Sequence, residues 1–157
     1  MIETVCSMLA VPAFLLMGAE DWKTFRIRDR YSLFVAFLGL VHALWAGIWG
    51  GVGEIVPYLA GAFLVSGPLY ALFVVSEGRA IGGGDVKMTA AAGFLLGWQK
   101  MLLGFSVACI LGSVIHGIRM KWTGCGKRLA FGPYLAAGII FAMTMGNRVI
   151  NWYGQFY

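Results

Sequence analysis

Ile81-Gly82-Gly83-Gly84-Asp85-Val86-Lys87-Met88 sets a carboxylate and a cation between two long apolar stretches, and the only comparable acid, Asp21, closes another such stretch. An ionised carboxylate beside hydrocarbon costs roughly 3 kcal/mol on insertion scales, so a chain that keeps two of them there has a use for both. The surroundings fix the class of fold. Of 157 residues, 60% are hydrophobic and 12% are charged, and the mean hydropathy is +0.80. A soluble domain carries about 25% charged residues. An all-α integral membrane protein is therefore expected, because stretches of about 20 apolar residues span hydrocarbon only as helices.

Six stretches read as spans: Thr4–Ala19, Tyr31–Gly50, Ile55–Ser76, Met88–Trp98, Met101–Ile118 and Ala130–Ile150. The pattern predicts a bundle of about six transmembrane helices. The fourth is short and is expected inside the bundle, where protein covers its ends. The first lacks the preceding basic residues of a signal peptide and is followed by Lys23, Arg26, Arg28 and Arg30, so it reads as an anchor with its N-terminus outside. That orientation puts those four with Arg79, Lys87, Arg119, Lys121, Lys127 and Arg128 in the cytoplasm, and leaves only Lys100 and Arg148 outside. Trp22, Trp45, Trp49, Trp98, Trp122 and Trp152 all fall near span ends, the level that indoles prefer. Gly47-x-x-x-Gly51 and Gly93-x-x-x-Gly97 read as sites of close helix packing, and Pro133 as a residue of a first helical turn.

Several function classes drop out. The net charge of +5 is spread over short segments between spans, not along one face, which argues against nucleic acid. Cys6, Cys109 and Cys125 form no CxxC pair, and His42 and His116 have no ligand spacing, so neither a metal nor a redox dithiol is expected. The glycine run lacks the GxxxxGK[ST] spacing of a phosphate loop. No cofactor is expected.

Asp21 and Asp85 fall on the cytoplasmic face in this topology. Glu20, Asp29 and Glu77 lie there too and read as partners of neighbouring Lys and Arg. Two carboxyls that approach one another in a low-dielectric site can divide the work of peptide hydrolysis. One activates water and the other, protonated, polarises the carbonyl. The residues themselves thus favour a membrane-embedded aspartic endopeptidase. The alternative is a small transporter or proton-coupled channel, since intramembrane acids also mark ion pathways. A third reading is a non-enzymatic scaffold of a secretion assembly.

Gly82-Gly83-Gly84-Asp85-Val86-Lys87-Met88 resembles the GxGD signature of the type IV prepilin peptidases. Asp21-Trp22-Lys23-Thr24-Phe25-Arg26-Ile27-Arg28-Asp29 resembles the other aspartate segment of that family, and Phe131-Gly132-Pro133-Tyr134 its late FGP motif. The resemblance implies that Asp21 and Asp85 are the catalytic pair, with Gly82, Gly83, Gly84, Lys87, Phe131, Gly132 and Pro133 as supporting residues. It implies a substrate with a short basic leader, cut after a glycine just before an apolar helix that stays in the lipid, and a link to pilus or secretion assembly. Arg28 stands where the family usually has proline, and Asp29 where it often has asparagine. Residues 1–157 are expected to form one peptidase domain, without the N-terminal zinc-binding methyltransferase domain of large members, similar to the short enzymes serving Flp-type or tight-adherence pili.

The charge asymmetry yields a direct test of orientation. In a chain whose native cysteines are replaced, Gly53→Cys should react with a membrane-impermeant maleimide on intact cells, and Thr24→Cys only after lysis. The reverse pattern would contradict an outside N-terminus.

Overall fold

The computed structural model describes residues 2–123 and 130–155, and Cys125, Lys127 and Arg128 lie outside them. The described residues form helices and no strand. They are α1 (Ile2–Thr24), α2 (Asp29–Gly50), a 3-10 turn (Val52–Ile55), α3 (Val56–Leu64), α4 (Ser66–Val75), α5 (Gly83–Leu96), α6 (Trp98–Thr123) and α7 (Gly132–Gly154). Four segments, Thr4–Thr24, Asp29–Gly50, Val52–Val75 and Trp98–Arg119, are long and apolar enough to cross a membrane. α7 has 23 residues but carries Asn147, Arg148 and Asn151 near its end. The protein is a multi-pass membrane protein, with large apolar side chains such as Leu33, Ile48, Phe63 and Val75 over its outer surface.

The third stretch is one candidate span, Val52–Val75, as expected, but its helix is interrupted at Val65 between α3 and α4. Pro68 explains the position: it has no N–H for the carbonyl of Leu64, and its ring crowds that carbonyl, so α3 stops there. The fourth stretch begins earlier than expected, at Gly83. With 14 residues α5 is about 21 Å long at 1.5 Å per residue, short of the roughly 30 Å hydrocarbon layer. It packs against α2, α3, α4, α6 and α7. Most of it is buried, including Met88, Thr89, Ala92 and Leu95. A helix so enclosed has no single polar face, and its place at the centre is what holds Asp85 inside the bundle.

Close crossings make that place available. A Cβ on Gly93 would strike the Gly61 carbonyl, and one on Gly61 the Gly93 carbonyl, so α3 and α5 meet backbone to backbone. Gly39 brings α2 against the Phe94–Leu95 backbone in the same way, at 3.0 Å from a Cβ built on it. The two GxxxG patterns divide. Gly93 packs α5 against α3, and Gly47 faces the Ile55 side chain, but Gly51 (φ 93°) and Gly97 (φ 78°) end α2 and α5 in backbone that L side chains avoid. Pro133 lies in the first turn of α7, as expected. His42 is buried, with Nδ1 3.2 Å from the Leu95 carbonyl and its ring edge-on to Tyr58, a structural histidine.

Because backbone atoms cannot rotate away, Gly61→Ala and Gly93→Ala should each destabilise the fold by roughly 1–3 kcal/mol. Gly53→Ala, whose Cβ would meet nothing within 4 Å, should stay within about 0.5 kcal/mol. Thermal unfolding in detergent measures all three. Equal behaviour of the three variants would contradict the close crossing.

Candidate active site

Asp21 lies in the last turn of α1 and Asp85 in the first turn of α5, and both are buried, at 7% exposure each. Neither stands at the middle of a span. Both line one cavity of about 430 Å³, bounded by the loop after α1, by α4 and by the start of α5. The two acids, 64 positions apart in sequence (85 less 21), therefore share one chamber at one end of the bundle.

Their supports differ. The backbone N–H of Gly132, at the start of α7, donates to Asp21 Oδ2 at 2.9 Å. An N–H at a helix N-terminus suits a carboxylate, because that end carries partial positive charge and donors with no partner inside the helix. A Cβ on Gly132 would lie 2.7 Å from the same oxygen, so only glycine lets the two segments meet. Asp85 faces the Gly82 backbone, yet its Oδ1 is buried with no hydrogen-bond partner. That oxygen is left over by the fold. A buried polar atom without a partner invites an explanation in chemistry, since desolvating it costs about 1–3 kcal/mol.

The other acids on this face have cation partners, although Glu20 Oε2, like Asp85 Oδ1, is buried without a hydrogen-bond partner. Arg28 Nε lies 3.5 Å from Glu20 Oε1, Lys87 Nζ 2.7 Å from Asp29 Oδ1, and Arg79 pairs with Glu77. Among the described residues, Asp21 and Asp85 alone of these cytoplasm-assigned acids have no cation partner. Arg28 takes φ −74° and extended ψ at the N-cap of α2, a φ that proline also adopts, so its departure from the family pattern leaves the backbone path open. Asp29 uses its carboxylate to tie α2 to α5 through Lys87.

Gly82, Gly83 and Gly84 all line the cavity, though none has positive φ. Space demands glycine only at Gly84. A Cβ on Gly84 would lie 2.9 Å from Ile27 Cβ, and one on Gly83 3.5 Å from the Phe73 ring. Gly84 is thus filled by Ile27, and the access expected of the run falls to Gly82 and Gly83. Lys87 borders the cavity through its ion pair. Phe131 and Pro133 do not line it. Phe131 stacks edge-on against Phe105 of α6, and Pro133 packs beside Gly18 of α1, so both act by setting α7 where Gly132 reaches Asp21. Sequence reasoning missed Tyr70 and Phe73 of α4, which form an apolar wall of the chamber. It also missed the turn at Phe25 (φ 52°), whose N–H bonds the Asp21 carbonyl at 2.9 Å. Left-handed backbone at a bulky residue costs about 1–3 kcal/mol and persists where its surroundings enforce it.

Residues 8–117 match the model of the type IV leader peptidase family. The chain belongs to that family. It is 33% identical over 146 residues to a prepilin leader peptidase/N-methyltransferase of Pectobacterium carotovorum subsp. carotovorum, covering 90% of this chain and 51% of the relative. It is 28% identical over 155 residues to a protein of the same name from Legionella pneumophila, covering 97% and 54%. Against the one from Stutzerimonas stutzeri it is 34% identical over 128 residues, covering 80% and 42%. The chain thus spans about half the length of the curated relatives it matches. No solved structure matches it significantly. Membership in a peptidase family, with both acids at helix ends, gives no support to the transporter alternative.

Proposed function

We propose that the protein is a membrane-embedded aspartic endopeptidase that cuts the short basic leader from a type IV prepilin-like protein after a glycine, at the cytoplasmic face of the cell membrane. The observation that carries this reading is that the acids of two separate motifs line one cavity at one end of the bundle. Family membership supports the reaction class. In this mechanism one acid of the pair takes a proton from water as that water attacks the scissile carbonyl carbon. The other gives its proton to the carbonyl oxygen. Collapse of the tetrahedral intermediate breaks the C–N bond: the acid that took the proton from water passes it to the leaving amine, and a hydroxyl of the intermediate returns its proton to the other carboxylate, which restores the pair. The two carboxyls exchange that proton as a unit, so their titration belongs to the pair.

Gly132 holds Asp21 in place for this step, while the partnerless Oδ1 of Asp85 is available to an incoming group. Phe73, Tyr70 and Ile27 narrow the chamber and limit water around it. The cavity carries three acids, Asp21, Asp29 and Asp85, against two cations, Arg26 and Lys87. A Lys- or Arg-rich leader meets its attraction mainly at Asp21 and Asp85, since Asp29 is already paired. The same reading places the protein within pilus or secretion assembly.

Asp21→Asn and Asp85→Asn should each lower cleavage by about 10²–10⁴-fold, with insertion and thermal stability retained because amide replaces acid at nearly constant volume. Gly132→Ala should lower cleavage in the same assay by displacing the Asp21 carboxyl. The wild-type pH–rate profile should show two limbs. Mass measurement of the new N-terminus of a coexpressed prepilin is the readout. Undiminished turnover in either Asn variant would remove that residue from the mechanism.

A further inference from the structure

A second concavity, about 460 Å³, lies between α2, α3 and α5 and meets the acid-bearing chamber at one place. Asp29 and Lys87 line both. From that ion pair the groove runs outward with a regular construction. α2 contributes Asp29, Ser32, Leu33 and Ala36, and α5 contributes Lys87, Ala90, Ala91 and Phe94. Each set falls at i, i+3, i+4 and i+7, the spacing of one helix face. The two helices run in the same direction, since Asp29 meets Lys87 at their beginnings and Gly39 meets Leu95 further on. The stripes therefore lie side by side over seven residues, about 10 Å at 1.5 Å per residue.

Beyond the ion pair the groove is apolar. Ser32 is its one remaining polar residue, and the hydroxyl is buried against the Met17 sulfur at 3.7 Å. Small side chains dominate the floor: Ala36, Ala90 and Ala91, with Ala62 of α3 closing one side. Small residues let another backbone come close, which is how helices associate where lipid removes the hydrophobic driving force.

We propose that this groove holds the first two helical turns of the apolar segment that follows the scissile bond, with the Asp29–Lys87 pair marking where the substrate passes from the polar chamber into lipid. The inference rests on the endopeptidase reading. Continuity decides the occupant: a chain cut beside Asp21 and Asp85 whose next residues are apolar must leave the chamber, and this groove opens from its rim. A lipid acyl chain is the competing occupant.

The test uses the full chain in phosphatidylcholine vesicles and a synthetic peptide with a Lys-rich leader, a glycine and an apolar helix. Benzoylphenylalanine at Leu33 or Phe94 should form photo-adducts with the peptide just after the glycine, and the same probe at Val114, on the exposed face of α6, should form none. Ala90→Trp, which fills the groove, should raise KM about tenfold with kcat unchanged, the mark of lost binding common to ground and transition states. Leu33→Trp, at a site 69% exposed and so tolerant of size, should raise KM in the same direction even if Ala90→Trp folds poorly. A wild-type protein that leaves the peptide uncut overturns the endopeptidase reading itself. Normal cleavage with adducts only to lipid at Leu33 and Phe94, or with KM unchanged in the folded Trp variants, overturns the groove alone.

Discussion

Two carboxyl groups can be kept together at the end of a helical bundle only where the segments that carry them approach more closely than side chains ordinarily allow. Glycine supplies that approach at each critical junction. Gly61 and Gly93 let α3 and α5 cross at backbone distance, Gly39 seats α2 on the same helix, Gly84 admits Ile27, and Gly132 brings the N-terminus of α7 onto Asp21. A Cβ at Gly61, Gly93 or Gly39 would have to displace the backbone of a neighbouring helix, and α5, which carries Asp85, is a party to all three contacts. The site is thus a consequence of packing in the interior of the bundle, and the short α5 is its central member.

Stability and reactivity pull against one another here. Most polar side chains at this end of the molecule find partners: Glu20 with Arg28, Asp29 with Lys87, Glu77 with Arg79. Surface pairs of this kind contribute little, roughly 0–1 kcal/mol, and the Asp29–Lys87 pair joins the starts of α2 and α5. Asp21 receives a backbone hydrogen bond, and Asp85 keeps an oxygen that the fold leaves unpaired. A carboxyl buried in that condition weakens the native state, and a reaction that uses the free oxygen is the natural account of its retention.

Much of the architecture was legible from residues alone because membranes impose a simple rule: long apolar runs become helices, and charges among them stand out. Asp21 and Asp85 were conspicuous for that reason, and the shortness of the fourth stretch already pointed to an interior helix. Contacts between distant parts of the chain were not legible. Gly132 donates to an acid 111 positions away, and nothing in the late FGP motif says so. Gly51 and Gly97 share their spacing with Gly47 and Gly93 but have positive φ and no close contact for a Cβ, which spacing alone does not reveal. Tyr70 and Phe73 looked like any other apolar residues of a span, and only the break caused by Pro68 and the turn of α4 bring them to the chamber.

The central claim is that Asp21 and Asp85 face one another in the folded protein, and distance can be tested without any assay of cleavage. In a chain with Cys6, Cys109 and Cys125 replaced, Asp21→Cys with Asp85→Cys should be bridged within a single chain by a short bifunctional thiol reagent in native membranes. Two thiols that each react singly with that reagent, yet are never joined by it, would contradict the account.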